Sequence, residues 1–232
     1  MKKLRNMLVA VIAMVGLTTS AQSFEGWGVG GTLSFVDFST SGSETANANG
    51  AQETGATSAD KNSTSVSKDV DIGSFFLEYT LPQGSTFGLE YVPGEGELGA
   101  KSRTDTASDA NEATSDAGTY TAKAQISDHM MLYAEPTVML SETFGVYLKG
   151  GFAKVTVESL ESGQSSSTYG NQDVYGVAQG VGAKLMTGNW YWKLDYLETE
   201  YGEVSLDNSN GEYTVTAEPE SDMTKLSLGY KF

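Results

Sequence analysis

Apolar and polar positions alternate with a period of two along most of this chain, the repeat of an extended strand with one apolar face. Over 26–38, Trp27, Val29, Leu33 and Phe35 share one face; Gly28, Gly30, Thr32 and Ser34 share the other. Over 70–81, Phe75, Leu77, Tyr79 and Leu81 oppose Glu78, and over 86–92, Phe87, Leu89 and Tyr91 oppose Glu90. Over 123–138, Met130, Leu132, Ala134 and Val138 oppose His129, Tyr133 and Glu135. Over 144–157, Phe144, Val146, Leu148 and Phe152 oppose Tyr147 and Lys149. Over 174–186, Tyr175, Val177, Val181 and Leu185 oppose Gly180, Gly182 and Lys184. Trp190, Trp192, Leu194 and Tyr196 of 190–199 oppose Lys193 and Asp195. Leu226, Leu228, Tyr230 and Phe232 of 222–232 oppose Lys225, Ser227 and Lys231. The pattern predicts eight strands.

The connections alternate in length. Leu81–Gly84, Ser141–Thr143 and Thr187–Asn189 are tight and hold turn-forming residues, whereas 39–67, 96–121, 161–172 and 202–220 are long. Segments 39–67 and 96–121 offer little bulky apolar surface beyond Val66, Leu98 and Tyr120, so both are expected to be mobile. Asn210-Gly211, flanked by alternating Val204, Leu206, Tyr213 and Val215, signals a hairpin, so the last two strands are expected to run on as a protruding ribbon. A hairpin within 96–121 would raise the strand count to ten. Pro136 would cost a ladder hydrogen bond inside the fourth strand, and its expected place is a bulge or strand end at the rim. Apolar faces with short and long connections in turn describe an all-β, up-and-down antiparallel transmembrane barrel. Its turns and both termini would be periplasmic and its long loops extracellular.

The N-terminus fits export. Lys2, Lys3 and Arg5 precede an apolar run from Met7 to Leu17 and a small polar stretch, the order of a secretory signal peptide. The run is shorter than the ~20 apolar residues that span a bilayer. Thr19 and Ala21 suit the cleavage positions, so the expected division is a signal peptide over 1–21 and a barrel domain over 22–232, with cleavage after Ser23 the alternative. The chain has no cysteine, so no disulfide supplies stability. Its net charge is −16, and removing Lys2, Lys3 and Arg5 makes the remainder more acidic. That balance excludes nucleic-acid binding, which needs a basic surface.

The alternating tail Leu226, Leu228, Tyr230, Phe232 looks like the C-terminal signal read by the barrel assembly machinery, in which the terminal aromatic matters most. With the leader, the sequence over 22–232 resembles small outer-membrane β-barrel proteins of the OmpA/OmpX type. The resemblance implies residence in the bacterial outer membrane, among lipid and lipopolysaccharide, and use of that machinery during biogenesis. A monomer is the expected state.

Candidate chemistry lies on the inward face. Glu78, Glu90, Glu135 and Asp195 would point inward with Lys149, Lys184, Lys193 and Lys225. Side chains nearly fill an eight-stranded barrel, and unpaired charge there is costly, so pairing is expected. The network is either a structural plug or the lining of a gated pore. His129 is the single histidine and has no motif context for catalysis or metal binding. Gly26-Trp27-Gly28-Val29-Gly30-Gly31 matches a dinucleotide-binding spacing but opens a strand, so small inward residues explain it better. Residues 206–218 fail the calcium-loop pattern, with Leu206 first and Ala217 twelfth. The acidic loops read as a solvated surface, with diffuse divalent-cation association the rival reading. Trp27, Trp190, Trp192, Tyr79, Tyr91, Tyr196, Tyr230 and Phe232 are candidates for interfacial girdles. The expected function is a non-enzymatic surface protein without cofactor or metal, serving envelope integrity, adhesion or binding of an extracellular ligand. The alternative is a narrow porin-like channel for small solutes or ions.

Overall fold

The computed structural model describes residues 25–46, 61–105, 118–162, 169–207, 209 and 213–232. The expected signal peptide and its expected cleavage after Ala21 lie outside these residues. The strands are β1 (Gly26–Ala46), β2 (Lys61–Thr80), β3 (Thr86–Asp105), β4 (Gly118–Glu135), β5 (Thr137–Met139), β6 (Phe144–Ser162), β7 (Gln172–Thr187), β8 (Trp190–Tyr201), β9 (Val204–Asp207) and β10 (Tyr213–Lys231). Every pairing is antiparallel, and β1 pairs with β10 from Gly28↔Lys231 to Ala46↔Tyr213, which closes the sheet.

Ten strands form eight staves, because two staves are interrupted. Pro136 separates β4 from β5 at the turn end, where its carbonyl accepts from the Leu148 amide at 3.2 Å. Pro219 breaks the other. β10 pairs with β8 up to Glu220↔Glu200 and with β9 from Ala217↔Val204, so the interruption falls where Pro219 has no N–H to donate. There the Gly202 amide turns to the Tyr175 carbonyl at 2.9 Å instead.

The turns follow from their residues. The Leu81 amide donates to the Ser85 carbonyl across the first, and Gly84 takes a φ of 90° that a side chain would resist. The Ser141 hydroxyl accepts from the amides of Thr143 and Phe144 in the second. The opposite end differs from the sequence expectation in two ways. Residues 39–46 and 61–67, expected as mobile loop, extend β1 and β2; 96–105 and 118–121 likewise extend β3 and β4. The hairpin within 96–121 exists, but it lengthens two staves and adds none. Protrusion is therefore shared around the barrel rather than confined to the last two strands. The ladder holds these segments although their sequence is polar, because backbone pairing does not require an apolar face. The 21 residues of β1 are roughly 70 Å long and, at a tilt of ~45°, rise roughly 50 Å. The apolar band of a membrane barrel is about half that height.

The staves change chemistry at the height where the band ends. On β1, apolar residues face outward up to Phe35 and inward from Val36 and Phe38. The switch falls between Phe152 and Ala153 on β6 and between Tyr196 and Leu197 on β8. β10 switches between Leu226 and Met223. Registers align the switch on three neighbouring staves, since Phe35 pairs with Thr224 and Thr224 with Tyr196. Below the switch the exterior is apolar and the lumen polar. Above it, Val36, Phe38, Met131, Ala153, Leu197 and Met223 form an apolar core inside a polar exterior. Val155, Val157, Val174 and Val204 continue that core upward. Lipid solvates the apolar outer face in the lower tier. Water surrounds the upper tier, so apolar side chains gather inside it.

Candidate functional site

The inward charges predicted from parity lie in the lower tier, and the structure brings them together. Glu78, Glu90, Glu135, Asp195, Lys149, Lys184, Lys193 and Lys225 are each at most 3% exposed. Glu135, on the last residue of β4, sits at the centre. It accepts from Lys193 Nζ at 2.6 Å and faces Lys149 Nζ at 3.1 Å. Lys193 also reaches Glu78 at 2.9 Å, and Lys149 reaches Asp195 at 3.6 Å. The Glu90–Lys225 pair stands somewhat apart, with Lys225 Nζ 2.6 Å from both carboxylate oxygens. Lys184 lies lowest and donates to the Gly84 carbonyl of a turn at 2.5 Å and to Thr86 at 3.3 Å.

Several partners were not singled out in the sequence. The Tyr133 hydroxyl donates to Glu78 at 2.8 Å, Tyr147 to Asp195 at 2.6 Å and Ser74 to Glu90 at 2.6 Å. Lys149 Nζ lies 4.2 Å from the centre of the Tyr133 ring, a cation–π contact. Alternation already put Tyr133 and Tyr147 inward; what it lacked was the register that aims them at particular carboxylates. Glycine creates room for those rings. A Cβ at Gly88 would strike the Tyr133 ring, and one at Gly182 would strike Tyr147 and Asp195. The glycines of 26–31 play the same part, since Tyr191 lies over Gly28 and Phe76 over Gly30.

His129 faces inward above the network, beside Asp128, which adopts a φ of 52° in a bulge of β4. Its Nδ1 has no hydrogen-bond partner among the described residues. Outside the barrel, Trp27 meets Tyr79 edge-on with centroids 5.3 Å apart, and Trp190 meets Tyr230 at 5.0 Å, both at the turn end. Tyr91 and Tyr196 lie outward near the upper edge of the apolar band, and Trp192 between the two edges. Leu226, Leu228, Tyr230 and Phe232 line one outward row, and the Phe232 amide donates to the Trp27 carbonyl at 3.0 Å.

An apolar outer face, a closed ladder and a charged interior define a transmembrane β-barrel. The outer membrane protein beta-barrel domain profile matches residues 7–232, and the chain belongs to that family. It therefore resides in the bacterial outer membrane, with short turns on the periplasmic side. Three solved outer-membrane proteins are similar to it to different degrees. The outer membrane protein OprG of Pseudomonas aeruginosa is 13% identical with a TM-score of 0.50, over 92% of this chain and 98% of that one. The outer membrane protease OmpT of Escherichia coli is 13% identical at 0.46, over 93% and 99%. Ail, the attachment invasion locus protein of Yersinia pestis, solved with a heparin analogue, is 13% identical at 0.37, over 88% and 99%. At these identities the likeness concerns the fold. Among curated proteins, no sequence matches the chain as a relative.

Proposed function

We propose that this protein is a non-enzymatic surface protein: the lower tier anchors it and closes its lumen, and the acidic upper tier meets the cell's surroundings. One observation carries the reading. Four carboxylates and four ammonium groups fill the lower lumen, all nearly inaccessible to solvent, beneath a second, apolar filling. Charges that line a conducting path are hydrated; these are held by one another and by Tyr133, Tyr147 and Ser74. On this reading the network is a structural plug, and the role lies in envelope integrity, adhesion or binding of an extracellular ligand. The partners within the envelope are lipid, lipopolysaccharide and, during biogenesis, the barrel assembly machinery reading Leu226, Leu228, Tyr230 and Phe232. The protein works as a monomer, without a cofactor.

Planar-bilayer recording on refolded protein tests this. The expected result is no reproducible unit conductance, for the wild type and for Lys184→Glu and Glu90→Lys alike. A stable unit conductance that either substitution alters would replace the plug with a narrow channel for small solutes or ions.

A further inference from the structure

Among the described residues two seams lose their ladder toward the top: β9 pairs with β10 and not with β7, and β2 parts from β3. β2 and β3 pair only from Phe75↔Tyr91 to Thr80↔Thr86. Higher up, β2 goes on pairing with β1 and β3 with β4, but no ladder joins β2 to β3 among the described residues. The two edges are stitched by a side chain: Lys68 Nζ donates to the Glu97 carbonyl at 2.7 Å. Gly73 and Gly94, one on each edge, are both exposed.

The edges are unlike. β3 is blunted by Pro93, by Gly94 with a φ of 91° and by register shifts at Val92/Glu95 and Glu97/Gly99. β2 carries none of these devices, and its register with β1 is unbroken from Thr80 to Lys61. In a strand, alternate residues point their N–H and C=O groups to opposite sides, so this edge offers a regular row of donors and acceptors. Such an edge is a template for another strand.

We propose that the β2 edge over 65–72, above Phe75, the last lipid-facing residue of that stave, is a docking site where an extended segment of a partner protein adds a strand whose side chains alternate basic and apolar. The two faces of β2 dictate that chemistry. Asp69 and Asp71 are exposed on its outer side, and Asp37 of β1 stands directly opposite Asp69. Val70 and Ile72 are half-buried on its inner side. An incoming strand therefore meets carboxylates with one face and apolar surface with the other. Backbone hydrogen bonds supply the attraction, and alternate side chains select the partner. A second copy of this chain fits poorly, because edge-to-edge pairing would set Asp69 and Asp71 against like charges. The proposal rests on the surface-protein reading, since the edge faces outward from the cell.

The test uses the full chain in lipid nanodiscs, a fluorescent peptide of about ten residues alternating Lys and Val, and amide hydrogen exchange. Saturable binding is expected, with exchange slowed at least tenfold at alternate amides of 65–72. Methylating alternate backbone nitrogens of the peptide keeps its charge and removes donors, and should weaken binding at least tenfold. So should Asp69→Lys with Asp71→Lys, at positions whose side chains are exposed. Equal binding of the methylated peptide would reduce the effect to charge adsorption and overturn the proposal. So would unprotected amides, or a peptide-free dimer protecting the same residues. Bilayer recording judges the underlying reading separately: a conducting lumen with a protected edge sinks the surface-protein role, whereas a silent lumen with a bare edge sinks only the docking site.

Discussion

Replacing Glu135 with Gln removes one charge from the best-sealed position in the network while keeping volume and a hydrogen-bond acceptor. Glu135 is 0% exposed, and two ammonium groups lie within 3.1 Å of it. At ~3 Å and an effective dielectric of ~20, each contact has a gross attraction of roughly 5 kcal/mol. Much of that is offset by desolvation, and breaking a buried pair has a net cost of about 3–5 kcal/mol. The lower end applies here, because Lys193 keeps Glu78 at 2.9 Å and Lys149 keeps Asp195 at 3.6 Å. Glu135→Gln should therefore cost about 3 kcal/mol. Lys193→Met strands the carboxylates of Glu78 and Glu135, and combining it with Glu135→Gln should cost about 2 kcal/mol less than the sum of the two single changes, a coupling that a double-mutant cycle isolates. The assay is urea unfolding of the refolded barrel in lipid vesicles, followed by tryptophan fluorescence, with an unchanged m-value. A cost below about 1 kcal/mol for the single variant would mean that water screens these charges, and the filled lumen would be refuted.

Three further outcomes follow from other parts of the barrel. Gly182→Val places a branched side chain against Tyr147 and Asp195 and should lower stability by about 1–3 kcal/mol in the same titration, with Tyr147→Ala relieving part of the loss. Phe38→Ala empties part of the upper apolar core and should cost about 3–5 kcal/mol; a negligible shift in the unfolding midpoint would show that this tier is not a packed core. With Trp27 and Trp192 replaced by Phe, Trp190 fluorescence should be quenched more by lipids brominated near the headgroup than near the chain ends; the reverse order would remove Trp190 from the periplasmic girdle.

The lower tier was legible because its two faces differ in kind. Leu194 and Lys193 cannot exchange sides of a membrane wall, so a period of two fixes which residues see lipid. The same parity put all eight lumen charges inside, although pairing partners depend on stagger between staves, which the sequence does not display. The upper tier was misread for a physical reason. A lipid-facing row and a core-facing row have the same period and the same residue types, so Val36 and Phe38, inside the 26–38 segment, were assigned to neither face. The readable sign was the change of parity, odd through Phe35 and even from Val36, with Asp37 between them. Polar composition over 39–46 suggested mobility only because it was weighed by burial; a ladder already formed by Phe35 and its neighbours extends through Ser and Thr with no apolar face. Pro136 was placed correctly, whereas the break opposite Pro219 required knowing which side of β10 faces β8.

Everything rests on lipid solvating the row of Trp, Leu and Phe around the lower wall. The most direct measurement is gel mobility of unheated and heated samples of residues 22–232, folded with and without detergent micelles. A compact, heat-shifted monomer that forms only when micelles are present is the predicted result. The same compact monomer formed in plain buffer would contradict the transmembrane barrel itself.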